Sequence, residues 1–171
     1  MLIREIKPDD AASFINLIKQ VESESQFLLF EPGERKISPE EQIKRIEAMQ
    51  KLRNSTIFIA EEDKQLIGYL VAMGGNAKRN KYSVYLVIGI LAEHRGHGIG
   101  TGLFEKVEKW AKEQYVHRLE LTVVAQNQAG IQLYKKMGFE IEGTKRHSLT
   151  LTANLSMNTI CLNFYKNYLF N

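Results

Sequence analysis

The chain has 171 residues, of which 44% are apolar and 25% charged, and its formal net charge is +3. That length and composition suit one domain with its own core, so residues 1–171 read as a single domain needing no metal or disulfide staple. A lone cysteine excludes an internal disulfide and a cysteine-rich zinc site. The sequence also lacks a signal-peptide pattern and any run of ~20 apolar residues, so a soluble, cytoplasmic protein outside the membrane is expected.

Residues 2–6 alternate like a short strand. A first helix is expected from about Asp9, after Pro8, with Phe14, Leu17, Ile18 and Val21 at helical spacing. A second helix is announced by Ser38-Pro39-Glu40-Glu41, where Ser38 and Glu41 have capping-box spacing and Pro39 sits at the first helical position. Its apolar face is Ile43, Ile46 and Met49. Three strands rich in Ile, Val, Tyr and Phe follow, at Thr56–Glu61, Gln65–Met73 and Tyr82–Leu91. Glu62-Asp63-Lys64 makes a hairpin turn between the first two. A third helix runs from Ile99 to about Tyr115, with Ile99, Leu103, Val107 and Trp110 on one face. Then come a strand from Arg118 to Ala125, a helix from about Asn127 to Met137 that stops at Gly138, and two or three strands ending near Phe164. The order β-α-α-β-β-β-α-β-α-β-β predicts an α/β (α+β) fold: a mixed, mostly antiparallel sheet flanked by helices.

The densest basic clusters, Lys78-Arg79-Asn80-Lys81 and Lys145-Arg146, are short. They do not form the continuous stripe of a nucleic-acid surface. The stronger chemical signal lies where the strand ending near Leu91 meets the third helix, in Arg95-Gly96-His97-Gly98-Ile99-Gly100-Thr101-Gly102. The first turn of a helix carries backbone N–H groups without internal partners, and the helix dipole adds positive charge there. Glycines let an anion approach that backbone without meeting a Cβ, and Arg95 can add a charge-assisted bond. A glycine costs ~1 kcal/mol in a helix interior, so glycines at every second position are expensive for a mere turn. A phosphate loop of the Walker type would need Gly-Lys-Ser/Thr, yet Leu103 follows Gly102. The dinucleotide pattern Gly-x-Gly-x-x-Gly is absent from this stretch.

These residues resemble the GNAT superfamily of N-acetyltransferases, whose signature Arg/Gln-x-x-Gly-x-Gly/Ala falls at a strand-to-helix junction. A second segment, from Asn127 through Gly130 and Tyr134 to Gly138-Phe139, is similar to that family's Asn-x-x-Ala-x-x-x-Tyr-x-x-x-Gly-Phe. Gly130 stands for the common Ala, and Ala92 stands where many members carry Pro. The resemblance implies the family fold over nearly the whole chain, acetyl-CoA as cosubstrate, an amine acceptor and no metal. It implies that Arg95, Gly96, His97, Gly98, Ile99, Gly100 and Thr101 hold the pyrophosphate of acetyl-CoA, and that Ile90, Leu91 and Ala92 bond the pantetheine through their backbone. Asn127 and Gly130 would lie against the cofactor, and Tyr134 would also protonate the leaving thiolate.

Gly89 admits two readings. It could mark a bulge that frees the N–H of Ile90 to polarise the thioester carbonyl, or it could permit close packing of strand against helix. The connection between the first two helices holds Phe27-Leu28-Leu29-Phe30-Glu31. It reads either as core filler or as the acceptor wall, with Phe27, Phe30 and Glu31 as its contacts. Glu24 and Glu34 flank it. Leu155-Ser156-Met157-Asn158-Thr159 carries no acidic residue of the kind many relatives show near their last strands. The sequence names neither the acceptor nor the general base, and a homodimer is compatible with it. The rival reading is a non-catalytic acyl-CoA-binding or sensor module.

Overall fold

The computed structural model describes residues 1–149 and 160–167. Its strands are β1 (Leu2–Glu5), β2 (Thr56–Glu62), β3 (Gln65–Gly74), β4 (Ser83–Ile90), β5 (Arg118–Val124), β6 (Glu140–Arg146) and β7 (Ile160–Asn167). Its helices are α1 (Ala11–Ser23), α2 (Pro39–Gln50), α3 (Ile99–Glu113) and α4 (Gln128–Lys136). The expected order is therefore observed, with short 3₁₀ turns added at Pro8–Asp10 and Ala92–His94. Leu155–Thr159 lies outside the described residues.

The strands form one seven-stranded sheet in the order β1-β2-β3-β4-β5-β7-β6. Every neighbouring pair is antiparallel except β4 and β5. The β2–β3 turn has Asp63 and Lys64 at φ 48° and 67°, the two positive-φ positions that match a tight hairpin to strand twist. Ser38 accepts the Glu41 amide while Glu41 reaches back to the Ser38 amide, so the expected capping box starts α2. Helix α1 buries Phe14, Leu17, Ile18 and Val21, and α3 buries Ile99, Leu103, Phe104 and Val107.

Contacts across β3 assign the helices to opposite faces. The Tyr69 ring meets Phe14 of α1 edge-on at 5.5 Å. Its neighbour Gly68 points the other way, where an added Cβ would lie 3.3 Å from Ile99 of α3. Helix α4 packs on the α3 side, with Tyr134 against Phe104 at 5.7 Å.

The feature that creates a site is the parting of β4 from β5. They pair only at Ser83↔Arg118, Val84↔Leu119 and Tyr85↔Glu120, then separate. The bulge expectation for Gly89 is corrected here, because the β3–β4 register runs unbroken from Gly68↔Ile90 to Gly74↔Val84. Close packing explains this glycine: a Cβ would fall 2.6 Å from the ring of Tyr69. The neighbour is a side chain of the adjacent strand rather than a helix.

Candidate active site

A cleft of about 860 Å³ fills the fork between β4 and β5. Its walls are residues 85–90 of β4 and Leu121–Val124 of β5. One end reaches the start of α3 and the side of α4, and the other reaches Val21, Ser25, Phe27, Leu28 and Leu29. The Leu91 amide bonds the Ile67 carbonyl across the β3–β4 ladder. By the alternation of an antiparallel ladder, the N–H groups of Ile88 and Ile90 point the other way, into the fork. Ile90 therefore presents a free amide because its strand neighbour has departed.

The turn before α3 has open, uncapped backbone of the kind that can take an anion. Gly96 and Gly98 have φ 80° and 83°, and a Cβ on either would meet nothing within 4 Å. Gly98 is the N-cap of α3 and offers no capping side chain. The amides from Gly96 to Thr101 have no acceptor among the described residues, so the orphan donors of this helix start face open space. The Arg95 Nε donates to the Ile90 carbonyl at 3.0 Å, which fixes the guanidinium beside the fork. Lys136 of α4 donates to the Thr101 hydroxyl at 3.1 Å. The charged residues lining the cleft among those described are Arg95, Lys136 and Lys145, with His94 beside them.

Tyr134 is 7% exposed and lines the cleft between Phe104, Phe139 and Phe164. Burial, and then the nearby Tyr85 phenol, pushes its hydroxyl above the ordinary tyrosine value. It is thus a protonated group throughout the neutral range. Asn127 caps α4 by accepting the Gly130 amide at 3.0 Å, and both residues line the cleft. A Cβ at Gly130 would crowd that cap, 2.9 Å from the Asn127 Nδ2.

The cleft thus gathers Ile90, Arg95, Gly96, Gly98, Ile99, Gly100, Thr101, Asn127, Gly130, Tyr134 and Phe27. Leu91, Ala92, His97, Phe30 and Glu31 do not line it. Leu91 is buried with its amide in the ladder. The Ala92 amide donates to Glu24 at 2.6 Å, a bond that leads the causes holding that carboxylate below its usual range. The His97 side chain, within the turn, is exposed. Phe30 stacks under the Arg35 guanidinium at 4.3 Å, and the Glu31 amide donates to Glu34. Sequence reasoning missed Tyr85, Thr122, Lys136 and Lys145. Alternation within β4 and β5 offered a signal for the first two, but only the sheet order reveals that the two strands enclose a space.

No group of three or more His, Cys, Asp or Glu suited to a metal occurs among the described residues. No helix among them is long and apolar enough to cross a membrane.

Fold and cleft together define a mixed α/β protein with a forked sheet and an open, glycine-rich helix start at the mouth of the fork. Residues 20–139 match the Acetyltransferase (GNAT) family, and the chain belongs to that family. It is similar to an N-alpha-acetyltransferase of Sulfurisphaera tokodaii, 33% identical over 102 residues, covering 54% of this chain and 61% of that protein. It is also similar to the L-amino acid N-acetyltransferase AaaT of Escherichia coli, 32% identical over 97 residues, covering 54% of this chain and 58% of that protein. The chain thus spans about three fifths of the length of these curated relatives. Among solved structures, an acetyltransferase of the GNAT family from Streptococcus pneumoniae superposes with a TM-score of 0.93 at 26% identity, covering 98% of this chain and 99% of that one. The Salmonella typhimurium yncA structure, which contains acetyl-CoA, shares the fold at 18% identity with a TM-score of 0.85, covering 98% of this chain and 93% of that one.

Proposed function

We propose that the chain is an N-acetyltransferase that moves the acetyl group of acetyl-CoA to an amine by direct attack within a ternary complex. The observation that carries this reading is the fork itself: free strand amides, an open helix start and a buried phenol border one cleft. The open space before Gly96 and Gly98, with Arg95 and Lys136 alongside, suits a diphosphate. The strand walls leave an unpaired edge along which the amide-bearing pantetheine arm can bond as an added strand.

In this reading the Ile90 amide, with that of Ile88 beside it, polarises the thioester carbonyl. The amine nitrogen bonds to the carbonyl carbon as the C–S bond breaks, and the Tyr134 phenol gives its proton to the departing thiolate. The nitrogen releases its own proton, and solvent returns one to Tyr134. Much of the acceleration comes from holding the two reactants together. The acceptor enters past Phe27 and Leu28, on the face of the sheet that carries α1. The names of two relatives point to α-amino groups, and we carry that to this chain as the acceptor class. A single catalytic domain acting in the cytoplasm completes the reading.

The test is release of free CoA thiol from acetyl-CoA by the purified protein, with and without a panel of α-amino compounds. Amine-dependent release at catalytic rates is expected. Tight acetyl-CoA binding without release would instead make this a binding module.

A further inference from the structure

The 3₁₀ turn Ala92–His94 joins β4 to the glycine turn, and its N-cap, Leu91, offers no capping side chain. A Ser, Asp or Asn at position 91 would cap the turn locally, but Leu91 is buried in the core. The acceptor comes instead from Glu24, 68 residues earlier, whose carboxylate takes the Ala92 amide at 2.6 Å. Its other oxygen accepts from the Gln20 side chain at 3.0 Å, so both oxygens are held. The Ala92 amide, followed by Gln20 and the nearby Arg95 and His94, keeps this carboxyl below its usual range against the effect of burial. Glu24 is therefore ionised at neutral pH, and its bond to the amide is charge-assisted.

Glu24 is also the residue that closes α1, and the chain runs from it directly into the cleft wall. Ser25, Phe27 and Leu28 all line the cleft. The Ser25 hydroxyl accepts the Phe27 amide at 3.3 Å, which fixes the turn leading to the wall. The far end of the same connection is fastened back to α1: Arg35 donates to the buried Glu22 at 2.6 Å and stacks on Phe30. The near end is tied across to the end of β4 by the Glu24–Ala92 bond. Ala92 stands two residues beyond Ile90, whose carbonyl holds Arg95 at 3.0 Å. The apolar wall and the site's strand edge thus meet at one carboxylate.

We propose that Glu24 is a positioning residue of the acceptor site: by holding the Ala92 amide it fixes Phe27 and Leu28 beside the end of β4, and so favours α-amino acceptors with an apolar side chain. This rests on the acetyl-transfer reading above. Glu24 acts through the wall and touches neither substrate. Its bond sets where Phe27 and Leu28 stand relative to the Ile90 amide, beside which the thioester carbonyl is held. Without the bond the wall is free to shift. An apolar side chain then loses part of its burial, while the reacting amine keeps its chemistry.

The experiment compares L-phenylalaninamide with glycinamide, which has no side chain, in wild type, Glu24→Ala and Glu24→Gln. Wild type should favour phenylalaninamide in kcat/KM. Glu24→Ala should cut that preference about 3- to 10-fold, the worth of one hydrogen bond, mainly by raising the KM for phenylalaninamide. Glu24→Gln keeps an oxygen at the same reach and should recover most of the preference. The acetyl-CoA Kd, by calorimetry, should be nearly the same in all three. The different basicities of the two amines enter the preference but not its change. A preference that survives in Glu24→Ala overturns the proposal. So does an equal loss in Glu24→Gln, which marks a role for the charge rather than the tether, or an equal loss of acetyl-CoA affinity, which marks a role in the cofactor turn. Wild type that shows no preference, or acetylates neither amine, also overturns it. In the last case calorimetry with acetyl-CoA shows whether the acetyl-transfer reading falls too.

Discussion

Two helices begin at the mouth of the same cleft and begin differently. Helix α3 starts from Gly98 at positive φ, with no capping side chain and open space before it. Helix α4 starts from Asn127, whose side chain takes the Gly130 amide and fills that space itself. The first start leaves its donors for a ligand, and the second satisfies its own. Both lie on the α3–α4 side of the sheet, so in the proposed reading the diphosphate meets one helix start while the other helix presents Tyr134 midway along its length. A helix N-terminus is an anion site only where the chain declines to cap it.

The largest effect should come from the middle of α4. Tyr134→Phe keeps the ring and its aromatic contacts but removes the proton donor. Single-turnover acetylation should slow by ~10²–10⁴-fold with acetyl-CoA affinity nearly unchanged. Because the Tyr134 hydroxyl is held above its ordinary value, the wild-type rate should show no loss from this group up to pH ~10. Wild-type rates in the variant would leave α4 as a wall only.

Next in size is the open start. Arg95→Gln should weaken acetyl-CoA binding about 10-fold by calorimetry, the scale of a charge-assisted bond, while the Tm stays nearly constant. Adding a Cβ within the turn is a poorer probe. Gly98 sits at φ 83°, and a Cβ at Gly100 would press to 2.7 Å from a Leu133 methyl, so both changes also disturb the fold.

The closed start should respond in the reverse way. Asn127→Ala removes the α4 cap and should cost about 1 kcal/mol of stability in denaturant titration. The acetyl-CoA Kd should change far less than in Arg95→Gln. A larger loss of affinity than of stability would show that Asn127 also serves the ligand.

The smallest effect lies away from both helices and serves as a control. Arg4 binds Asp10 through paired contacts of 2.7 and 2.8 Å and holds its carboxyl below the usual range. A depressed carboxyl stabilises the fold above its unfolded value of 3.8 and loses that stability as pH falls through the folded value. The Tm advantage of wild type over Arg4→Gln should therefore be constant above pH ~5 and shrink as the solution becomes more acid than pH ~4. Acetyl-CoA affinity should not change.

Local chemistry was legible in the sequence. Apolar spacing located α1 and α3, the Ser38–Glu41 box located α2, and the glycines at 96, 98 and 100 marked the open turn. What depended on long-range pairing was not. Gly89 allowed both a bulge and close strand–helix packing, because the sequence cannot show that β4 loses β5 after Tyr85 or that the Tyr69 ring needs the space of a Cβ. Ala92 looked available to a cofactor, but its amide is taken by Glu24, which lies 68 residues earlier. Phe30 and Glu31 were sensible wall residues by composition, yet the connection turns Phe30 onto Arg35 and leaves Phe27 and Leu28 at the cleft.

The contrast between the two helix starts is tested most directly by backbone amide NMR during an acetyl-CoA titration. Large shifts at Gly96, Gly98, Ile99, Gly100 and Thr101, with little change at Gly130, are the expected result. Shifts of equal size at Gly130, or none at the start of α3, would contradict the assignment of the diphosphate to the uncapped helix.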